Sequence, residues 1–152
     1  MADHLSLQGR SSVMAAIRSK NTKPEILVRS VAFRLGYRFR LHQKNLPGCP
    51  DLVFRRLGKI IFVHGCFWHQ HPETTCTNSS RPATNRNYWK PKLRRNAKRD
   101  RAATKSLSAM GWDVLVIWEC ELSDLQKLKS RIKKFLENLK LKAVRRENFA
   151  AK

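Results

Sequence analysis

The sequence predicts an α/β sandwich with a mixed sheet, on three observations. Two capping boxes, Thr22 with Glu25 and Ser123 with Gln126, each open a stretch whose apolar residues recur at helical spacing. Three short runs separated by turn residues (Tyr37–His42, Asp51–Phe54 and Lys59–Val63) read as an antiparallel meander. A fourth run, Trp112–Trp118 (WDVLVIW), follows a long basic helix and so joins the meander through a crossover.

Taken in order, residues 1–9 carry no structural pattern. A short helix is predicted at Ser12–Arg18, with Val13, Met14 and Ile17 on one side. Thr22 caps the next helix, Pro24 sits in its first turn, and Gly36 stops it. Tyr37–His42 alternates apolar with basic residues, the period of a half-buried strand. A loop with Pro47, Gly48 and Pro50 leads to Asp51–Phe54, and Leu57-Gly58 turns the chain into Lys59–Val63. A basic helix is predicted from Pro91 to Met110. WDVLVIW is apolar almost throughout, as in a central strand covered on both faces. The last helix carries Leu125, Leu128, Ile132, Phe135, Leu136 and Leu139 on one stripe. Residues 10–140 thus form one domain, with a basic tail at 141–152. No internal repeat or domain boundary interrupts it.

The charge balance is extreme: 32 Lys and Arg against 11 Asp and Glu leave +21 over 152 residues. Self-repulsion on that scale points to a polyanionic partner, nucleic acid before an acidic membrane, because no helix joins a broad bulky face to its basic one. No apolar run approaches a bilayer span, and the N-terminus has no signal-peptide core. A cytosolic, membrane-free protein is expected, with four cysteines kept reduced as metal ligands or buried thiols.

The segment IIFVHGCFWHQH (Ile60–His71) begins as a buried strand and then loses all packing logic. Three imidazoles and a thiol lie within eight residues, from His64 to His71. Cys66, His71, Cys76 and Cys120 make a closed, borderline-soft donor set suited to structural zinc, with Cys49 as a substitute for any one of them. Pro50-Asp51 opens one strand, and His64 ends its neighbour. Asp51 could share Mg²⁺ with a backbone carbonyl, water and phosphate, and a histidine could act as proton acceptor. Phe67, Trp68 and Trp89 lie in polar surroundings, fit to stack on or wedge between bases, or else to pad the loop. Lys90, Lys92, Arg94, Arg95, Lys98, Arg99, Arg101 and Lys105 stud one helix against a single Asp100, so phosphate contact is expected, with Asn96 aimed at the site.

Several stretches together resemble the very-short-patch-repair endonucleases of bacteria. They are HGCFWH at His64–His69, the Pro50-Asp51 entry, RSSVMAAIRSKNTKPE at Arg10–Glu25, the W-x6-N-x2-R-D run ending at Asp100, and GWDVLVIWEC at Gly111–Cys120. The resemblance implies a restriction-endonuclease-like three-layer fold with a zinc-stapled loop. The implied activity is strand nicking just 5′ of the thymine in T:G mismatches left by 5-methylcytosine deamination. Asp51 and the Val63 carbonyl would hold Mg²⁺, His69 would activate water, His64 would assist at the phosphate, and Glu25 would support catalysis. Phe67, Trp68 and Trp89 would intercalate beside the mismatch. Met14, Ile17, Arg18, Lys92, Arg95, Asn96 and Arg99 would contact DNA, with Met14 and Ile17 on the minor-groove side. A monomer in the bacterial cytoplasm, nucleoid-associated through DNA and partnered by a MutL-type repair protein, is expected.

Two departures stand out: the family has Thr where this chain has Val63, and the loop between His71 and Cys76 is longer. Two other readings compete. One is a restriction-type nuclease of the same fold without mismatch preference, and the other a non-catalytic zinc protein that binds nucleic acid.

Overall fold

The computed structural model describes residues 6, 8, 20–73 and 75–138. The helix predicted at Ser12–Arg18, with Met14, Ile17 and Arg18, lies outside the described residues. So do Leu139 and the tail at 141–152.

Helix α1 (Lys23–Arg34) begins as predicted: the Glu25 N–H donates to Thr22 Oγ1 at 3.4 Å, and the Glu25 carboxylate reaches back to the N–H of Asn21 at 3.0 Å. Gly36, at φ 92, ends the last turn in a conformation that a Cβ disfavours. Strands β1 (Arg40–Leu41), β2 (Leu52–Phe54) and β3 (Lys59–His64) form the antiparallel meander, and β4 (Asp113–Trp118) pairs parallel to β3. The sheet order is β1-β2-β3-β4. Helix α2 (Arg86–Ala109) makes the crossover between β3 and β4, and α3 (Leu125–Glu137) closes the chain.

Strand parity sorts the core into two layers. Leu52, Phe54, Ile61 and Ile117 point to one face, where they pack with Val28 and Ala32 of α1 and Leu128, Ile132 and Leu136 of α3. Val53, Ile60 and Phe62 point to the other, against Leu107 of α2 and Trp112. Each fully buried Leu or Ile is worth roughly 1.5–3 kcal/mol, so either layer holds its helices firmly. Helices on both faces of a mixed sheet make the three-layer α/β sandwich expected from the sequence.

Four expectations are corrected. Only Arg40–Leu41 of the predicted Tyr37–His42 strand pairs. Tyr37 and Phe39 instead pack edge-on against Phe54, at centroid distances of 6.4 and 5.6 Å, and His42 leaves the ladder at φ 43. Helix α2 starts before Pro91, because the N–H groups of Tyr88 and Trp89 reach Asn85 O (3.0 and 3.1 Å) and buried Trp89 anchors the first turn. β4 is not central: among the described strands it lies at the sheet edge, which leaves most of it half-buried. The α3 cap is Asp124, whose carboxylate accepts the Lys127 N–H, and Leu125 just behind it is exposed. Among the described residues no helix is long and apolar enough to cross a membrane.

Candidate active site

The parity that builds the core also aims the site. Asp51 shares a face with Val53, and His64 shares one with Phe62, so both face α2 at one end of neighbouring strands. Asp51 Oδ2 accepts the Val63 N–H at 2.7 Å, which ties the carboxylate to the residue next to His64. The loop before Asp51 docks directly on α2. Gly48 sits at φ 75, and a Cβ there would meet Ala103 Cβ at 2.7 Å and the Phe62 ring at 3.1 Å. The result is a cavity of about 980 Å³ whose walls include Glu25, Asp51, His64, His69, Asn96 and Asp100.

His69 leaves the turn after β3 and points its Nδ1 at Asp100 Oδ2, 2.5 Å away. An Nδ1–H donated to Asp100 leaves the Nε2 lone pair of a neutral ring free to accept a proton. His64 stacks on His69, with centroids 4.0 Å apart and planes 5° from parallel. Burial, and then the neighbouring His69, push the His64 imidazole down to about 4, so it is neutral at physiological pH. Burial acts oppositely on Asp51: desolvation raises its carboxyl to about 6, against the Val63 hydrogen bond, which lowers it. A largely desolvated carboxylate held against the Val63 backbone is a hard oxygen donor of the kind a divalent cation takes, and the cation's charge would favour the ionised form.

Glu25 is buried, and its Oε2 takes three contacts: the Asn21 N–H at 3.0 Å, Arg29 at 2.9 Å and His42 Nε2 at 3.0 Å. His42 also stands 3.9 Å from Asp51 Oδ1, so it bridges the two carboxylates. His42, Arg29 and the Asp100 partnership were not singled out from sequence. His42 reads there as the polar end of an alternating strand, and nothing in its spacing marks it. Asp100 does carry a signal, because it is the lone acid in a strongly basic helix.

The soft donors gather on the far side of the same turn. One atom each from Cys66, His71, Cys76 and Cys120 lies within 4.8 Å of every other. A tetrahedral zinc with bonds of about 2.3 Å needs sulfur separations of about 3.8 Å, so these residues fit that ion. Cys49 is not among them. Burial pushes the Cys66 thiol up to about 12, whereas the His71 hydrogen bond brings Cys76 down to about 7.

Phe67, Trp68 and Trp89 form one aromatic cluster: Phe67 lies 5.0 Å from Trp68 and 5.4 Å from Trp89, with Trp68–Trp89 at 5.9 Å. Phe67 and Trp68 are half-exposed, and Trp89 is buried beneath them. Tyr88 flanks Trp89 and Lys92 stands over the Trp68 ring at 5.9 Å. Asn96 donates to the Trp68 carbonyl at 3.1 Å, so α2 pins the aromatic turn from below. Lys92 and Arg99 line the cavity. Arg95 is exposed nearby.

A family model described as DNA mismatch endonuclease Vsr matches residues 2–75. The chain is similar to the type II nicking enzyme V.XorIIP of Xanthomonas oryzae pv. oryzae, at 47% identity over 90% of this chain and 98% of that protein. It is similar to the type II nicking enzyme V.NmeAIP of Neisseria meningitidis, at 36% over 92% and 98%. The DNA mismatch endonuclease Vsr of Escherichia coli is 39% identical over 84% of this chain and 80% of that protein.

Proposed function

This chain belongs to the DNA mismatch endonuclease Vsr family and is a DNA endonuclease; from that premise we propose that it nicks one strand of duplex DNA 5′ of the thymine in a T:G mismatch, with Mg²⁺ at Asp51. Relatives named as nicking enzymes support single-strand cutting. The observation that carries the chemistry is one cavity holding Asp51, His64 and the His69–Asp100 pair.

Asp100 holds the His69 Nδ1–H, so Nε2 takes the proton of the attacking water. The charge that appears on His69 is then met by the Asp100 carboxylate. His64, neutral and stacked beneath, offers a hydrogen bond at the phosphate without competing for that charge. Asp51 and the Val63 carbonyl would hold Mg²⁺, which when bound neutralises charge building on the scissile phosphate. Glu25 keeps the first turn of α1 closed over this corner through Asn21, Arg29 and His42. Cys66, His71, Cys76 and Cys120 would hold zinc and so fix the turn that carries His69.

Phe67 and Trp68 enter the duplex beside the mismatch, with Trp89 as backing. A mispaired step is cheaper to open than a matched one, and that difference is the source of the preference. Lys92, Arg95, Asn96 and Arg99 sit where phosphates flanking the cut would pass. A MutL-type partner and nucleoid association follow from the family resemblance alone.

The test is a nicking assay with Mg²⁺ on matched, T:G and other mismatched duplexes in several sequence contexts. Faster nicking of T:G duplexes, 5′ of the thymine, is expected. Equal rates on matched DNA would remove the mismatch claim, and binding without nicking would remove the catalytic one.

A further inference from the structure

Helix α2 carries two separate basic faces. At about 100° per residue, Lys92, Asn96, Arg99 and Ala103 fall on one arc, which lines the cavity. Lys90, Arg94, Lys98, Arg101 and Lys105 fall within a second arc of about 80°, centred roughly opposite the first. All five are exposed. The buried positions Trp89, Leu93, Ala103 and Leu107 lie on the sheet side, so the second arc faces solvent. The helix offers it no compensating acid, since Asp100 is its lone carboxylate and is held by His69.

A solvated face is the usual fate of such a run, but five like charges on one arc repel one another and lower the stability of the bare helix. The stripe extends over about 22 Å, roughly the rise of six base steps at about 3.4 Å each. It holds no bulky apolar residue, which a membrane-surface helix needs. A duplex seated over the cavity meets Lys92 and Arg99, while the stripe lies across the helix diameter of about 10–12 Å from them.

We propose that the stripe Lys90, Arg94, Lys98, Arg101 and Lys105 binds a second segment of duplex DNA while a first occupies the cavity, so that the enzyme passes directly between segments during its search. The proposal rests on the DNA-nicking reading of the cavity. Contacts of this kind are ionic and sequence-independent, as transfer between unrelated segments demands.

The test follows release of a pre-bound, labelled 20-base-pair T:G duplex from the full chain, without Mg²⁺, as unlabelled matched duplex is added. The release rate should rise in proportion to competitor concentration. In R94Q/K98Q/R101Q that slope should fall at least fivefold, while single-turnover nicking of the pre-bound duplex stays within twofold of the parent. The charge-retaining R94K/R101K should keep the parent slope, which controls for folding. A release rate independent of competitor in the parent would overturn the proposal. So would an equal loss of affinity for a single short duplex in the triple variant, because the stripe would then belong to the primary footprint. Equal acceleration by polyglutamate would also overturn it and assign the stripe to acidic proteins. If the parent binds but never nicks, the reading of the cavity fails, and the release slopes still decide the stripe.

Discussion

His69 and Asp100 meet at 2.5 Å across the gap between the β3 turn and the middle of α2. The contact selects one tautomer, with the proton on Nδ1 and the lone pair of Nε2 directed away from Asp100. D100N removes the charge that favours this tautomer and leaves the shape almost unchanged. Single-turnover nicking should drop by about 10²–10⁴-fold, the usual worth of a general base, with duplex affinity within twofold. A variant that nicks at the parent rate would leave the pair without a catalytic role.

Asp51 and His64 should show opposite linkage to pH. The Asp51 carboxyl is raised from 3.8 to about 6, so folding takes up a proton and its ionisation costs stability as pH rises through that window. His64 is lowered from 6.5 to about 4, so folding expels a proton and stability falls as pH drops from 6.5 towards 4. The two slopes oppose each other between about pH 4 and 6. D51N abolishes the first alone. In chelator it should be more stable than the parent at pH 7 by roughly 2–3 kcal/mol, and by less than about 1 kcal/mol at pH 4. Urea unfolding at both pH values checks this. Equal stability at pH 7 would mean that Asp51 carries no desolvation penalty.

Much of this arrangement is legible in the sequence, and the illegible part has a common cause. Elements that bury a periodic face, such as the Leu128–Ile132–Leu136 stripe, declare themselves, because one layer of packing decides them. Asp51, His64, His69 and the four soft donors stand out because nothing in a core explains them. What escapes is set by contacts between distant segments. The start of α2 depends on Trp89 packing beneath Phe67, and the role of His42 on two carboxylates, 17 residues before it and nine after. WDVLVIW reads as central because both its faces are covered, yet coverage of faces says nothing about a free edge.

The aromatic turn gives a prediction about discrimination. Phe67 and Trp68 are half-exposed over a buried Trp89, so trimming them opens little of the core. F67A/W68A should melt within a few degrees of the parent but lose most of its preference for T:G over matched duplex. W89A should instead destabilise the protein by roughly 3–5 kcal/mol, as expected of a buried Trp. Unchanged discrimination in the double variant would refute the wedge.

The thiol cluster predicts about one zinc per chain, lost in C76S and retained in C49S, since Cys76 lies within the group of donors and Cys49 outside it. Because the same turn carries His69, removal of the ion by a chelator should lower both the melting temperature and nicking. Metal analysis and melting curves check this. A zinc-free preparation with full stability would refute the site.

Gly48 offers the sharpest test of how the two halves of the cavity are held together. It allows the loop before Asp51 to touch α2 at Ala103, one turn beyond Asp100. In G48A, the added Cβ would meet Ala103 Cβ at 2.7 Å, and the residue would have to remain at φ 75. Overpacking costs about 1–3 kcal/mol and a left-handed L-residue about 1–2 kcal/mol more, so a loss of roughly 2–5 kcal/mol is expected. The loop relieves the contact by moving away from α2 and takes Asp51 with it, so nicking should fall more than tenfold even where the variant is folded. Adding A103G removes the closer contact but leaves the Phe62 ring at 3.1 Å and the backbone strain, so activity should recover more completely than stability. If G48A folds and nicks at the parent rate, the Asp51 loop does not depend on this contact for its place.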